Sequence, residues 1–213
     1  MKLLSIQVGK VQTHEHNGKP WQSGYIKKPV ERRVMLTSLN LEGDQQHNKH
    51  VHGGVNRAVL MYSAENYEAW EADLGEKLPN GSFAENFTVE GLHESTVCIG
   101  DIYQIGDTVK VQVAQPRQPC NQIYKVLGIR GIEKKVTATH RSGWYLRVLV
   151  EGEVEAGMPI TLVERFHPEW TIEQAHTVMN NRATMPDKAS ELSAIEELEP
   201  GWRAKLAKAA TKA

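Results

Sequence analysis

The sequence predicts a mainly β chain: a barrel or sandwich-like sheet with a few helices over residues 1–164, then a small three-helix appendage over residues 165–213. Three observations predict it. Up to about residue 164, short apolar runs are punctuated by Gly, Pro, Asn and Asp, the pattern of many brief strands. Past Pro168 the apolar residues switch to helical spacing, as at Ile172, Ala175 and Met179. With 213 residues the chain can bury one sizeable core and still carry a small addition.

In order, Leu3–Val8 alternates weakly and reads as the first strand, with Gly9 near its end. Residues 14–24 are polar and turn-rich, hence a loop or hairpin. Tyr25–Pro29 reads as a short edge strand, since proline lacks an N–H and fits poorly in a central one. Val34–Leu36 is a further short strand. A polar loop then runs from Leu41 through Asp44, His47, His50 and His52 to Gly53-Gly54. Ala58–Tyr62 looks like a buried strand, and Ser63 is placed to cap a helix carrying Tyr67, Trp70 and Leu74, ended near Gly75. Pro79–Ser82 is a turn. Phe87–Val89 and Val97–Ile99 are strand candidates, and Gly100-Asp101 and Gly106-Asp107 punctuate the next hairpin.

Val109–Val113 alternates as a half-buried strand, which Pro116 and Pro119 then stop. Ile123, Tyr124 and Leu127 suggest a short helix ending at Gly128. Gly143–Val150 and Ile160–Val163 are β-rich, with a turn over Ala156–Pro159 between them. In the appendage, Thr171 and Gln174 form a capping-box pattern, Leu192 and Ile195 mark a second helix, and Pro200 begins a third that carries Trp202 and Leu206.

Composition narrows the function. With 25 basic and 26 acidic side chains the net charge is −1, which gives no bulk attraction to a nucleic-acid polymer or an anionic membrane. Two cysteines make no disulfide framework and point to a reducing compartment. The apolar run at the N-terminus is too short for a signal peptide and no stretch reaches spanning length, so a cytoplasmic protein is expected. GxGxxG, Walker, nucleophile-elbow and iron–sulfur patterns are absent from the sequence.

The chemistry concentrates at Pro116-Arg117-Gln118-Pro119-Cys120. Two prolines stiffen a loop just past a strand, and Arg117 would favour the Cys120 thiolate if the two meet in space. A small hydrophobe capping the core is the competing reading. Cys98, between Val97 and Ile99, reads as core. Asp44, His47, His50 and His52 contain ligand types for a borderline metal such as zinc, in a spacing that matches no zinc motif; solvated loop histidines are the plainer reading. Lys27, Arg57 and Arg117 lie near strand ends and would suit a phosphate if they converged. Asn86 either holds a turn or bonds a ligand.

Four segments in order, Leu39–Asp44, His52–Val59, Phe83–Phe87 and Pro116–Cys120, together with Ser23–Lys27, resemble the MOSC domain family. The whole chain, tail included, is similar to its YiiM type, the hydroxylaminopurine resistance proteins. The resemblance implies a β-barrel MOSC domain over 1–164 and a three-helix domain over 165–213. It implies the molybdenum cofactor, a molybdopterin, with Cys120 as the metal's protein ligand. Lys27, Arg57, Arg117, Asn86, Gly53 and Gly54 are then the candidates for holding that cofactor. The implied activity is reduction of N-hydroxylated bases and related N-oxygenated compounds to amines, with His52 either donating a proton or bracing the Gly53-Gly54 turn. No ferredoxin-like domain follows, so a separate electron-donor protein is expected as partner; a homodimer is left open. Ala84 stands where the family often has glycine, a departure that bears on the local turn around Asn86. Two other classes compete: a non-catalytic carrier of the cofactor or of sulfur as a Cys120 persulfide, and a zinc hydrolase built on the histidines.

Overall fold

The structure, a computed structural model, describes residues 1–48 and 53–211. Twelve strands form among them: β1 Lys2–Val8, β2 Gln12–His16, β3 Lys19–Ser23, β4 Lys28–Pro29, β5 Val34–Leu36, β6 Val59–Ser63, β7 Phe87–Glu90, β8 Ile102–Ile105, β9 Val109–Pro116, β10 Trp144–Val150, β11 Gly152–Val154 and β12 Ile160–Glu164. Six α-helices accompany them: α1 Glu65–Leu74, α2 Gln122–Leu127, α3 Ile132–Thr139, α4 Ile172–Asn180, α5 Pro186–Ser193 and α6 Pro200–Ala210. The main sheet has eight strands in the order β12-β8-β9-β10-β6-β7-β1-β4. Every pairing in it is antiparallel except β6 with β7. The sheet curls until β12 and the turn before it come back to the start of β1: Leu3 donates to the Met158 carbonyl at 3.0 Å and Ile160 to that of Met1 at 3.0 Å. This is a mainly β half-barrel with helices added.

Strand periodicity sorts the side chains. On β6, Val59 and Met61 face the large core, which they share with Val111, Val113, Trp144 and Leu146. Tyr62 points the other way into a second cluster with Tyr67, Trp70, Phe83, Ile123 and Val136, beneath α1, α2 and α3. A strand buried on both faces explains why Val59–Ser63 reads as a continuous buried run. The tail does not stand apart from the sheet. Ile172, Met179, Leu192, Trp202 and Leu206 belong to the large core, and Arg147 of β10 donates to the Glu197 carbonyl at 2.7 Å.

Several expectations change. Ser63 is the last residue of β6, not a cap; Ala64 holds the N-cap position without a side-chain bond, while the Ser63 hydroxyl donates to Glu65 at 2.6 Å. Val97–Ile99 is not a strand but a buried turn with one bridge, Cys98 to Thr171. The Tyr25–Pro29 strand shrinks to Lys28–Pro29, paired at the edge with β1. Strand β9 extends to Pro116, whose missing N–H costs nothing at the last position, and Arg117 N–H still reaches the Gly143 carbonyl at 3.0 Å. The capping box of α4 is present in full. Residues 12–23 do form a hairpin, turned by Asn17 and Gly18, both at positive φ as a two-residue turn requires. Among the described residues no helix is long and apolar enough to cross a membrane.

Candidate functional site

A row of residues crosses the sheet on the face away from the large core. Tyr145 of β10 pairs with Leu60 of β6, and the Leu60 carbonyl accepts from the N–H of Asn86, which precedes β7, at 2.8 Å. This row floors a cavity with about 710 Å³ of space between its walls, part of it open to solvent. Three segments build the walls: Ser23–Lys27 from the end of the hairpin, Asp44–Asn48, and Arg117–Gln122 past the end of β9. They sit close because glycine allows it. A Cβ on Gly24 would come within 2.0 Å of the Gln45 carbonyl oxygen. The hairpin is tied to α2 as well, where the Ser23 hydroxyl donates to Gln122 Oε1 at 2.6 Å.

Lys27, Arg57, Asn86, Arg117 and Cys120 all line this cavity. Their surroundings differ, and that separates them. Lys27 is paired with Asp44, with side chains 6% and 0% exposed. Burial pulls Lys27 below the usual lysine pKa, and the carboxylate opposes that pull. Asp44 also accepts from Gly9 N–H at 2.8 Å and from Gln46 at 3.3 Å, so its oxygens brace the wall. Arg57 pairs with Glu199 of the tail at 3.2 Å. Arg117 has no carboxylate partner among the described residues. It is 3% exposed, its Nη2 reaches the Tyr25 hydroxyl at 3.5 Å, and its Nη1 is buried with no partner among the described residues. Burial works against the Arg117 charge, but Tyr25, Tyr145 and Cys120 beside it hold its pKa above the ordinary value. The Cys120 thiol is partly exposed on the same wall, unlike Cys98, which is 1% exposed and pushed up to about 11 by burial.

Asn86 is occupied by the backbone: its Oδ1 accepts from Leu60 N–H at 3.2 Å and its Nδ2 donates to the Gln7 carbonyl at 3.2 Å. It fixes β1, β6 and β7 to one another beneath the cavity. The turn before it carries Ala84 at φ 61°, in the left-handed region that glycine occupies without strain. Ala84→Gly is therefore expected to stabilise the protein by about 1 kcal/mol, raising Tm by about 2–4 °C. A thermal melt checks it, and an unchanged or lower Tm would show that the strain is not there.

Gly53 and Gly54 lie in the turn entering a 3₁₀ helix over Val55–Arg57 and are not among the lining residues. His47 lines the cavity; His50 and His52 fall outside the described residues. Tyr145 was not anticipated as a wall residue. Period-two alternation could have found it, since Trp144 and Leu146 on either side face the large core.

The MOSC domain pattern matches residues 48–161, more than half of the chain. The chain belongs to the MOSC domain family. Among relatives of this MOSC protein, YflK of Bacillus subtilis is 41% identical over 97% of this chain and 93% of its own length. A reductase of Gibberella moniliformis is 31% identical over 84% of this chain, which spans 32% of that protein. The crystal structure of YiiM from Geobacillus stearothermophilus superposes with a TM-score of 0.83 at 30% identity, covering 98% of both chains. The MOSC fold and the tail helices are therefore shared together with that structure.

Proposed function

We propose that this protein is a molybdenum-cofactor-dependent reductase that converts N-hydroxylated bases and related N-oxygenated compounds to amines. One observation carries the reading: a buried guanidinium with an unpartnered nitrogen shares a cavity wall with a partly exposed thiol. Burying a cation without a carboxylate is costly, so the arrangement suits an anionic guest. The donor set fits the cofactor. Cys120 offers the soft ligand that molybdenum takes, and Arg117 offers a planar fork for the pterin's terminal phosphate. When bound, the cofactor supplies two-electron redox chemistry that no side chain here provides.

The chain's own residues bind, orient and shield. Arg117 and Cys120 sit on the stiff segment bounded by Pro116 and Pro119, which holds both at fixed places on the wall. Lys27 and Asp44 neutralise each other and keep the Asp44–Asn48 wall closed against Gly9. Leu60 and Tyr145 provide an apolar floor that limits water at the bound group. Overall, an N–OH group, two electrons and two protons give an amine and water. Electrons come from a separate donor protein in the cytoplasm, and His52 is proposed as a proton source. The reductase name of the fungal relative agrees with this class of reaction.

The test is reduction of a hydroxylamine-type base with an artificial electron donor. Cofactor-loaded wild type is expected to turn it over and Cys120→Ala to fall at least about a hundredfold, the scale of losing a group used only in the transition state. Equal rates would remove Cys120 from the chemistry. A labile sulfane sulfur on Cys120 with no bound molybdenum would favour the carrier instead.

A further inference from the structure

The tail touches the cavity wall through Arg57. Glu199, the N-cap of α6, places Oε1 3.2 Å from Arg57 Nη2 and accepts from Trp202 N–H at 2.9 Å through Oε2. Its own N–H donates to the Ala114 carbonyl at 3.0 Å, on the strand that leads directly to Arg117 and Cys120. The residue is thus anchored to β9 through its backbone, and its carboxylate is held at two places, by the first turn of α6 and by Arg57. The side chains of the pair are only 21% and 13% exposed. Arg57 is the last residue of a single 3₁₀ turn, and a long arginine side chain loses rotamer freedom when it is ordered.

We propose that Glu199 is a positioning residue for Arg57, making the C-terminal helices part of the anion-binding wall of the cavity. A fixed carboxylate orders the guanidinium before the anion arrives, so less freedom is lost on binding. A second effect opposes this, because a carboxylate near a bound anion repels it. The two effects have opposite signs in affinity, so affinity decides between them. The inference rests on the cavity being an anion site, and goes beyond it by giving the tail a part in that site.

Deleting the tail would expose the large core, so point variants of the full chain are the appropriate probes. Inorganic pyrophosphate is titrated calorimetrically into wild type, Glu199→Ala, Arg57→Ala and the double variant, with a thermal melt of each. Positioning predicts that Glu199→Ala weakens pyrophosphate binding by about five- to tenfold, and by less than about twofold once Arg57 is already alanine. The lost cap lowers the melting temperature in both backgrounds, and the lost Arg57 ion pair adds to that shift only where Arg57 is present. If Glu199→Ala fails to fold, Glu199→Gln, which keeps an acceptor oxygen for Trp202, carries the same comparison. Unchanged or tighter binding, equal losses in both backgrounds, or no pyrophosphate binding by wild type would each overturn the proposal. A wild type lacking molybdenum would sink the cofactor reading while leaving this titration fully interpretable.

Discussion

Glu85→Ala is expected to destabilise the protein by about 3–5 kcal/mol, the scale of breaking a buried charged network. Glu85 is 0% exposed and its carboxylate accepts four bonds: Gly81 N–H at 2.6 Å, Phe83 N–H at 3.2 Å, the Tyr67 hydroxyl at 2.6 Å and the Thr88 hydroxyl at 3.0 Å. Alanine leaves four donors facing a gap. Each orphaned group costs about 1–3 kcal/mol, and the sum is tempered by relaxation and by water entering the space. The loss would spread to both sides of the turn. Phe83 stacks on Tyr62 at 4.6 Å between ring centroids, and Tyr67 meets both rings edge-on. Glu85→Gln retains one acceptor oxygen but turns an NH₂ group toward donors, so an intermediate loss is expected. Urea unfolding checks it; a loss under about 1 kcal/mol for the alanine variant would mean that the network is solvated and dispensable.

Arg117→Met is expected to act in the opposite direction on stability. Arg117 is nearly fully buried, it has no carboxylate partner among the described residues, and its side-chain hydrogen bond there is to the Tyr25 hydroxyl at 3.5 Å. Methionine preserves much of the aliphatic packing and removes the desolvated charge, so Tm should hold or rise by about 2–4 °C, equivalent to about 1 kcal/mol. Pyrophosphate affinity should fall at least about tenfold, the range for losing a charge-assisted bond to phosphate. A gain in stability together with a loss of binding marks a group kept for function rather than for the fold. If Tm dropped by ten degrees or more, Arg117 would instead be a structural cation whose partner is the sheet.

Much of the fold was legible because the strands obey period two and the turns use Gly, Pro and Asn. The Asn17-Gly18 hairpin and the Thr171/Gln174 capping box follow from local chemistry alone. Helix α3 was not anticipated. Its sequence, IEKKVTAT, is short and rich in β-branched residues, and it is helical because Ile132 and Val136 pack into the cluster with Trp70 and Phe83. Val97–Ile99 was read as a strand because a buried apolar triplet looks the same whether it pairs along a ladder or sits in a turn. At the site, residue identity found Arg117, Cys120, Lys27 and Arg57, and only the fold could show that they share one cavity. Their partners were not legible, since Asp44 and Glu199 lie 17 and 142 residues from the cations they hold. Those partners are what distinguish Arg117 from the other two.

Cys120 is the proposed protein ligand of a molybdenum cofactor held in this cavity. Metal analysis of full-length protein, purified from a host that makes the cofactor, tests it most directly. Wild type should carry close to one molybdenum per chain and Cys120→Ala less than about a tenth of that, while Cys98→Ala keeps the wild-type content, as expected where one thiolate binds the metal directly. Equal molybdenum in wild type and Cys120→Ala, or none in wild type, would contradict the account.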